Sequence, residues 1–214
     1  MNLKNPHKTV QGLYAITDQR LIAVKKFAVK VRQALEGGAS VIQYRDKSQH
    51  HQQRLDQASV VVELCNDFGA TSIINDDIEL AKMVNADGVH LGAEDDEVSF
   101  ARAELGEHKI IGVSCYADIA LAEHAVNNSA NYVAFGSVFP SSTKPQAPVA
   151  GLEVLLAAKE KLSVPIVAIG GISLDNLSQV IATNVDSVAT ISGVFGNDDV
   201  ADAAKQFSSA FSKC

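Results

Sequence analysis

The sequence predicts an α/β fold, a single-domain (β/α)₈ TIM barrel with short loops. Short apolar runs of strand character alternate with longer segments of helical periodicity along the 214 residues. The runs number eight, and eight parallel strands joined by crossover helices close a barrel. Glycines follow the sixth, seventh and eighth runs, near the place where barrel enzymes commonly bind phosphate. We therefore expect one domain over residues 1–214.

The predicted strands are short and apolar, and polar or glycine residues follow them. They comprise Leu13–Thr17, Ser40–Tyr44, Thr71–Asn75, Gly88–Leu91, Lys109–Val113, Asn131–Phe135, Pro165–Ile169 and Ser187–Ile191. Segments between them have helical spacing, as in Leu21–Glu36, Gln53–Phe68, Ile119–Val126, Leu152–Lys161, Leu174–Ala182 and Val200–Phe211. Leu55, Ala58, Val62 and Cys65 recur at helical spacing and predict one buried helix face.

An open, doubly wound sheet is the alternative architecture. Such a sheet usually carries a glycine-rich phosphate loop after its first strand. Here that position holds Thr17–Arg20 and contains no glycine. Because the glycines follow the later strands instead, the sequence favours the barrel.

Composition and charge narrow the class of protein. The net charge of −7 argues against a nucleic-acid coat or a polybasic membrane contact. No apolar run approaches the roughly 20 residues of a membrane-spanning helix, and the N-terminal residues lack the apolar core of a signal peptide. Cys65, Cys115 and Cys214 are widely spaced, which is typical of free thiols in a reducing cytoplasm. We expect a cytoplasmic protein whose partners are small molecules, with no nucleic acid and no membrane; a homo-oligomer is left open.

Cationic side chains follow the second predicted strand. Gln43, Arg45 and Lys47 alternate, so that a continued strand would point all three into the barrel mouth. A solvated strand end would explain one or two charges, but it explains two cations and an amide on one face less easily. These residues therefore predict an anion site.

Carboxylates follow the third and fourth predicted strands. Asp77 fits the N-cap of the next helix, whereas Asp76 is less natural as a cap. Asp76 and Asp95 can share a hard cation such as Mg²⁺, which fills its remaining positions with water and substrate phosphate. A plain acidic helix start would also explain Asp95. His90 lies in an apolar strand and is predicted to be a packed, hydrogen-bonded core histidine.

A polar segment follows the sixth predicted strand. Residues 136–145 offer a glycine, several hydroxyls and one lysine. Hydroxyl and ammonium donors suit a cluster of anionic oxygens. An ordinary loop contains the same residue types, but the other strand ends agree with the anion site.

Further donors follow the fifth, seventh and eighth predicted strands. Gly170 and Gly171 let backbone N–H groups approach a ligand, and residues 189–194 add more backbone donors. Ser114 contributes a hydroxyl. Cys115 is interpreted as a packing residue, because no histidine occupies an obvious partnering position.

The mouth of the predicted barrel thus has two separable anion sites. One is cationic and suits a strongly charged diphosphate, and the other is a neutral cup of amides and hydroxyls that suits a monophosphate. This combination predicts an enzyme that joins a diphosphate-activated fragment to a phosphorylated acceptor.

Six motifs at the predicted strand ends resemble those of the thiamine-phosphate synthase family, and the similarity runs nearly end to end. The motifs are Gln43-Tyr44-Arg45-Asp46-Lys47, Ile74-Asn75-Asp76, Asp87-Gly88-Val89-His90-Leu91-Gly92, Gly112-Val113-Ser114, Thr143-Lys144 and Ala168-Ile169-Gly170-Gly171-Ile172. The resemblance implies a (β/α)₈ transferase that joins a hydroxymethylpyrimidine diphosphate to a thiazole phosphate. Thiamine phosphate and diphosphate are the implied products.

The resemblance also implies roles for residues. Gln43 would contact the pyrimidine, and Asp76 and Asp95 would bind the Mg²⁺ cofactor. The residues implied to hold the diphosphate are Arg45, Lys47, Asn75, Ser114 and Lys144. Those implied to act in catalysis are Arg45, Lys47, Ser114 and Lys144. Those implied to bind the thiazole phosphate are Ser141, Thr143, Gly171, Ile191 and Ser192.

In the implied mechanism the diphosphate leaves first, and the thiazole nitrogen attacks the resulting pyrimidine methylene cation. Such a reaction depends on charge neutralisation of the leaving group by Mg²⁺ and fixed cations. Departures from the commonest family pattern occur at Tyr44, Ala93, Ser141 and Cys115-Tyr116. Ser141 keeps the usual hydroxyl, whereas Ala93 removes a polar side chain near the predicted metal site.

Three other functions remain as alternatives. A thiazole tautomerase on the same barrel would keep the phosphate cup but would not need the cationic site. A non-catalytic sensor of phosphorylated ligands would bind without needing Mg²⁺. A sugar-phosphate isomerase would require an acid and a base paired across the mouth, and no such pair is identified in the sequence.

Overall fold

Eight parallel strands form a closed barrel in which each strand pairs with its sequence neighbours and β1 pairs with β8. The computed structural model describes residues 8–92, 98–140 and 149–211. The strands are β1 Gly12–Ile16, β2 Val41–Tyr44, β3 Thr71–Asn75, β4 Gly88–Leu91, β5 Ile110–Tyr116, β6 Tyr132–Phe135, β7 Ile166–Ile169 and β8 Ser187–Thr190. The predicted barrel is confirmed, and every predicted strand is present.

The strands are buried on both faces, which explains why they occur as nearly continuous apolar runs. Along β1, Tyr14 and Ile16 belong to a core inside the barrel. Leu13 and Ala15 belong to a second core, in which the outer faces of the strands pack against the helices. Alternation along one strand therefore supplies both layers.

The described helices lie between the strands and after the last one. They are α1 Phe27–Glu36, α2 His51–Phe68, α3 Ile78–Val84, α4 Val98–Leu105, α5 Ile119–Asn127, α6 Glu153–Lys161, α7 Leu177–Ile181, α8 Ser192–Phe195 and α9 Val200–Phe211. The helix predicted from Leu21 begins only at Phe27, after a short 3₁₀ turn at Val24–Lys26. The segment predicted over Leu174–Ala182 is helical only at Leu177–Ile181. Among the helices described, none has the length and apolarity to cross a bilayer.

Strand β5 extends past its predicted end at Val113 and continues to Tyr116. Its register against β6 shifts between Ser114 and Tyr116, which marks an irregularity in the ladder. Ser114 therefore lies within the strand, where its side chain has a fixed direction. Placing it beyond the strand end was wrong.

Candidate active site

The ends of β1 and β2 are joined by an ion pair between Asp18 and Arg45. Arg45 Nη1 lies 3.3 Å from Asp18 Oδ2, and the Arg45 backbone N–H donates to Thr17 Oγ1 at 2.9 Å. Arg20 also binds Asp18, through Nε at 3.0 Å and Nη2 at 2.8 Å. The hydrogen bond from Arg20, with a smaller attraction from Arg45, lowers the pKa of the buried Asp18 carboxyl. Arg45 is thus held at the mouth by a partner whose lowered pKa keeps it charged near neutral pH.

The ends of β2 and β3 meet in a second cationic and acidic cluster. Lys47 Nζ pairs with Asp76 Oδ2, and Asn75 Nδ2 donates to the same oxygen at 2.6 Å. Asp76 has a φ of 63°, a left-handed conformation that is uncommon for a residue other than glycine. Lys47, Asn75 and Asp76 border a cavity of about 460 Å³, here called the cationic cavity, which Asp46, Arg54 and Phe100 also line. Three of the residues predicted to bind the diphosphate and its metal ion thus border the same cavity.

Asp77 has the capping role that the sequence predicted. Its side chain accepts a hydrogen bond from the Leu80 backbone N–H at 2.9 Å and begins α3. Its other carboxylate oxygen pairs with Arg54 Nη2 at 2.7 Å. Asp76 and Asp77 therefore have different roles at the end of β3. Asp76 pairs with Lys47, and Asp77 caps α3.

The residues of the cationic cavity fit a hard divalent cation. Asp76 and Glu79 line the cavity with carboxylate oxygens, the donor type that Mg²⁺ prefers, whereas both oxygens of Asp77 are engaged by α3 and Arg54. No cluster of three or more acidic or metal-ligating side chains occurs among the described residues, so a Mg²⁺ ion here would take one or two carboxylates and complete its shell with phosphate and water. The residues present thus suit Mg²⁺.

A second cavity, of about 720 Å³, opens over β5 to β8 and is here called the amide cup. Gly170 and Gly171 line it with φ values of 96° and 67°. A Cβ on Gly171 would lie 2.6 Å from the Phe139 carbonyl oxygen and 2.5 Å from that of Pro140. Only glycine therefore lets the chain after β7 pass this closely under the loop after β6.

Backbone donors of the amide cup come from β7 and β8. Ile191 and Ser192 line the cup, and Ser192 begins a helical turn of only four residues. Within the described ranges, the backbone N–H groups of Gly171 and Ser192 meet no acceptor in the protein. The N–H of Gly193 instead donates to Thr190 Oγ1 at 3.2 Å. The cup thus offers amide donors that an anion can accept from.

A hydrogen-bonded chain crosses the inside of the barrel between two predicted site residues. Gln43 Nε2 donates to the Tyr14 hydroxyl at 2.7 Å, and the Tyr14 and Tyr132 hydroxyls are 2.9 Å apart. Tyr132 Oη is 2.9 Å from His90 Nδ1, and His90 Nε2 is 2.9 Å from Ser114 Oγ. His90 is thus the hydrogen-bonded core histidine that the sequence predicted.

The sequence interpretation did not identify Tyr14 and Tyr132. Both lie in the core inside the barrel, and burial raises the pKa of each phenol well above its usual value. The sequence did contain a signal for them, because strand alternation places polar side chains from several strands inside the barrel. Polar groups buried there must hydrogen-bond to one another. We call Gln43, Tyr14, Tyr132, His90 and Ser114 the interior chain.

The predicted site residues fall into four groups in the structure. Lys47, Asn75 and Asp76 share the cationic cavity, and Arg45 lies apart from it beside Asp18. The residues that share the amide cup are Ser114, Gly171, Ile191 and Ser192. Gln43 is buried inside the barrel. Asp95, Ser141, Thr143 and Lys144 lie outside the described residues.

Cys115 behaves as a packing residue. Its side chain is fully buried, its Sγ is 3.6 Å from the Val113 carbonyl oxygen, and burial raises the pKa of the thiol to about 12. A thiol with so high a pKa supplies almost no thiolate near neutral pH, so it is unsuited to nucleophilic catalysis.

Similarity to known proteins extends over nearly the whole barrel. A family model described as thiamine monophosphate synthase matches residues 13–194. The chain belongs to the thiamine monophosphate synthase family. The match begins in β1 and ends in α8, so it includes the interior chain, the cationic cavity and the residues of the amide cup except Asn197 and Phe207.

Relatives within the thiamine monophosphate synthase family are similar over their full length. The thiamine-phosphate synthase of Acidithiobacillus ferrooxidans is 45% identical over 205 residues, covering 94% of each chain. That of Methylobacillus flagellatus is 46% identical over 202 residues, covering 94% of this chain and 96% of the relative. The solved thiamine phosphate pyrophosphorylase of Pyrococcus furiosus is 37% identical with a TM-score of 0.85, covering 99% of this chain and 98% of the other. As a member of the thiamine monophosphate synthase family, the chain is a transferase of thiamine biosynthesis.

Proposed function

We propose that this transferase joins a hydroxymethylpyrimidine diphosphate to a thiazole phosphate, forming thiamine phosphate and releasing diphosphate. The observation that carries the proposal is the pair of separate cavities at one barrel mouth. Lys47 and Asp76 border one cavity, and Gly171 and Ser192 line the other. Two anionic substrates of different charge require such a pair.

The cationic cavity, whose lining holds four carboxylates beside Lys47 and Arg54, suits the diphosphate together with a divalent cation that offsets the negative charge. Among the described residues, Lys47 and Arg45 each pair with a single carboxylate, from Asp76 and Asp18. A diphosphate carries more negative charge than one carboxylate and competes well for these cations. Fixed cations stabilise the charge that develops on a leaving group, because they are oriented before the reaction begins. The Asn75 amide adds a neutral donor at the same strand end.

Asp76 and Asp95 are the proposed Mg²⁺ ligands. Bound Mg²⁺ would supply Lewis-acid neutralisation of the diphosphate charge. The Lys47 ammonium and the Asn75 amide, which both contact Asp76, orient its carboxylate at the cavity edge. The proposed roles of Lys144 on the diphosphate, and of Ser141 and Thr143 on the thiazole phosphate, follow from the family motifs in the sequence.

The amide cup suits the thiazole phosphate. A monophosphate accepts hydrogen bonds from backbone N–H groups, and the cup presents such groups at Gly171 and Ser192. Ser114, which also lines the cup, would reach the diphosphate from the side that faces the acceptor. The thiazole nitrogen then attacks the pyrimidine methylene cation that the departing diphosphate leaves behind, a step that needs no general base.

The test is an assay of purified protein with both substrates and MgCl₂, in which thiamine phosphate and diphosphate are quantified. Equimolar formation of both products is expected. The matched control replaces the pyrimidine diphosphate by its monophosphate, which lacks the good leaving group and should give no thiamine phosphate. Folded protein that makes no product from the correct pair would contradict the proposal.

Metal removal gives a separate prediction. EDTA is expected to reduce turnover at least about a hundredfold, in line with the loss of a major charge-stabilising group. Excess Mg²⁺ should restore turnover, while the far-ultraviolet circular dichroism spectrum stays unchanged throughout. Undiminished turnover after exhaustive chelation would remove Mg²⁺ from the proposal.

A further inference from the structure

The orientation of the Gln43 amide gives the interior chain a direction of hydrogen-bond donation. Gln43 Nε2 is only a donor, so Tyr14 accepts from it and must donate its single proton to Tyr132. Tyr132 then donates to His90 Nδ1. A neutral imidazole with an accepting Nδ1 carries its proton on Nε2, which donates to Ser114 Oγ.

Ser114, the last group of the interior chain, has a hydroxyl proton that the chain does not use. Ser114 accepts from His90, so its own hydroxyl hydrogen points away from the interior chain. Ser114 is the only member of the chain that lines the amide cup, as far as the described residues go. An anion at Ser114 therefore meets a hydrogen-bond donor, which is what phosphate oxygens require.

The opposite direction also satisfies every bond of a neutral chain, but it requires the Gln43 amide to turn over. Gln43 Oε1 would accept from Tyr14, each later bond would reverse, and Ser114 would donate to His90 and present only lone pairs to the cup. In a neutral chain, a mixed arrangement leaves one buried group of the chain without a hydrogen-bond partner, which is unfavourable. The two ends of the interior chain are thus coupled.

We propose that Tyr14, Tyr132 and His90 are positioning residues that transmit the orientation of the Gln43 amide to the Ser114 hydroxyl. The proposal rests on the proposed function, since Gln43 and Ser114 are the groups assigned to the pyrimidine and the diphosphate. With Ser114 bound to an anion as a donor, Gln43 must keep Nε2 toward Tyr14 and present Oε1 to the pyrimidine. Recognition of the ring and recognition of the diphosphate then reinforce each other.

Burial keeps the phenols of the interior chain protonated and its rings in place. Tyr14 and Tyr132 are at most 1% exposed, and burial raises their pKa values, so both phenols keep their protons over the working pH range. The His90 ring is stacked on the Tyr132 ring, with centroids 5.6 Å apart, which restricts rotation of the imidazole. Because the rings of the interior chain are held in place, the positions of its protons are the main feature that can still change.

The direct test is the tautomer of His90, read by ¹⁵N NMR of the full chain at pH 8 without substrate. The His90→Asn variant identifies the His90 signals among those of the six histidines. The proposal predicts a neutral ring protonated at Nε2. A ring protonated at Nδ1, or at both nitrogens, would overturn it. This result is independent of turnover, so failure of the relay is distinguished from failure of the proposed function.

Transmission is tested by Gln43→Glu. An ionised carboxylate only accepts, so Tyr14 must donate to it, and every later bond reverses to give the Nδ1–H tautomer of His90. The pH is raised until the ¹³C signal of the new carboxyl reports ionisation. Adding Tyr14→Phe breaks the chain and should restore the Nε2–H tautomer. An ionised carboxylate that leaves the His90 tautomer unchanged, or the same shift in the double variant, would overturn the relay.

Kinetics provide a functional readout. Tyr14→Phe frees the Gln43 amide and should raise KM for the pyrimidine diphosphate about three- to tenfold, with a smaller change in KM for the thiazole phosphate. The matched control is Tyr44→Phe, because Tyr44 is equally buried but donates to Gln57 at 3.1 Å on the outer face of the barrel. Equal effects of the two variants would contradict a positioning role. If Gln43→Glu does not fold, the proposal is tested by the His90 tautomer of the wild-type protein and by the comparison of Tyr14→Phe with Tyr44→Phe.

Discussion

Lys47 and Asp76 show how a residue pair holds a binding site ready. The lysine is about half exposed, so its ammonium is largely hydrated, and the pair with Asp76 contributes little to stability. The pair instead fixes positions: it keeps a cation beside the cavity, and it orients the carboxylate of Asp76, the residue with the unusual φ of 63°. Replacing the lysine should therefore affect the reaction more than the fold.

Lys47→Met is expected to lower kcat/KM for the pyrimidine diphosphate about a hundredfold, because one preorganised cation is lost from the leaving-group site. The matched control is Lys82→Met, which removes a lysine paired with Glu104 at 2.6 Å on the outside of the barrel. We expect the control to stay within about twofold of wild type, as is typical of exposed ion pairs. Steady-state kinetics with both substrates measure the effect, and similar losses in both variants would contradict the assignment.

Asp18 predicts a pH dependence of stability. Its pKa in the folded state lies below the unfolded value of about 3.9, so the stabilisation is complete above that pH and is lost as pH falls through the folded pKa. Asp18→Asn cannot titrate and should show a shallower loss of stability on acidification. Urea midpoints between pH 3 and 7 measure this difference. If the urea midpoints of the two proteins fell in parallel as the pH is lowered, Asp18 would not contribute to the loss of stability in acid.

Helix α3 shows how a helix start supports the cationic cavity. Asp77 caps the helix and also pairs with Arg54, which belongs to α2. The Arg54 Nε is buried and has no partner among the described residues, so Asp77 is important for keeping this guanidinium satisfied. Two elements beside the cavity are thus tied together by one carboxylate.

Asp77→Ala should lower the free energy of unfolding by more than the roughly 1 kcal/mol typical of a lost N-cap, because Arg54 also loses its partner. Asp118→Ala provides the matched control, since Asp118 caps α5 through the Leu121 N–H at 3.0 Å and forms no ion pair within the described ranges. Urea denaturation measures both. A loss in Asp118→Ala as large as that in Asp77→Ala would contradict the role of the Arg54 pair.

The elements were largely predictable because their periodicity is local information. Strand β3 and helix α9 match their predicted bounds, since both are flanked by clear changes of pattern. Strand β5 was predicted too short, because its continuation to Tyr116 depends on pairing with β6. At Gly112, an added Cβ would overlap the Tyr132 ring of that neighbouring strand. Contacts of this kind arise only when distant segments meet.

The candidate site was predictable to the extent that its residues follow strands. Lys47, Asn75 and Asp76 were expected together and do share a cavity. The pairing of Arg45 with Asp18 and the path from Gln43 to Ser114 were not expected. Both depend on which side chains face one another across the barrel, and strand periodicity gives the face of a residue but not its partner.

The whole molecule places two chemically different cavities at the same end of one barrel. The cationic cavity follows β2 and β3, whereas the amide cup lies over β5 to β8. The barrel keeps the two apart, and the interior chain connects β2 with β5 between them. A transferase needs this arrangement, because both substrates must be bound when the bond between them forms.

Simultaneous occupancy of the two cavities is the most direct test of this account. Thiazole phosphate is titrated calorimetrically into the protein with MgCl₂, first alone and then in the presence of saturating inorganic diphosphate. We predict one molar equivalent bound in both titrations, with a dissociation constant that is not weakened by diphosphate. Competition between the two ligands, seen as a thiazole phosphate affinity that falls steadily with rising diphosphate, would contradict the account.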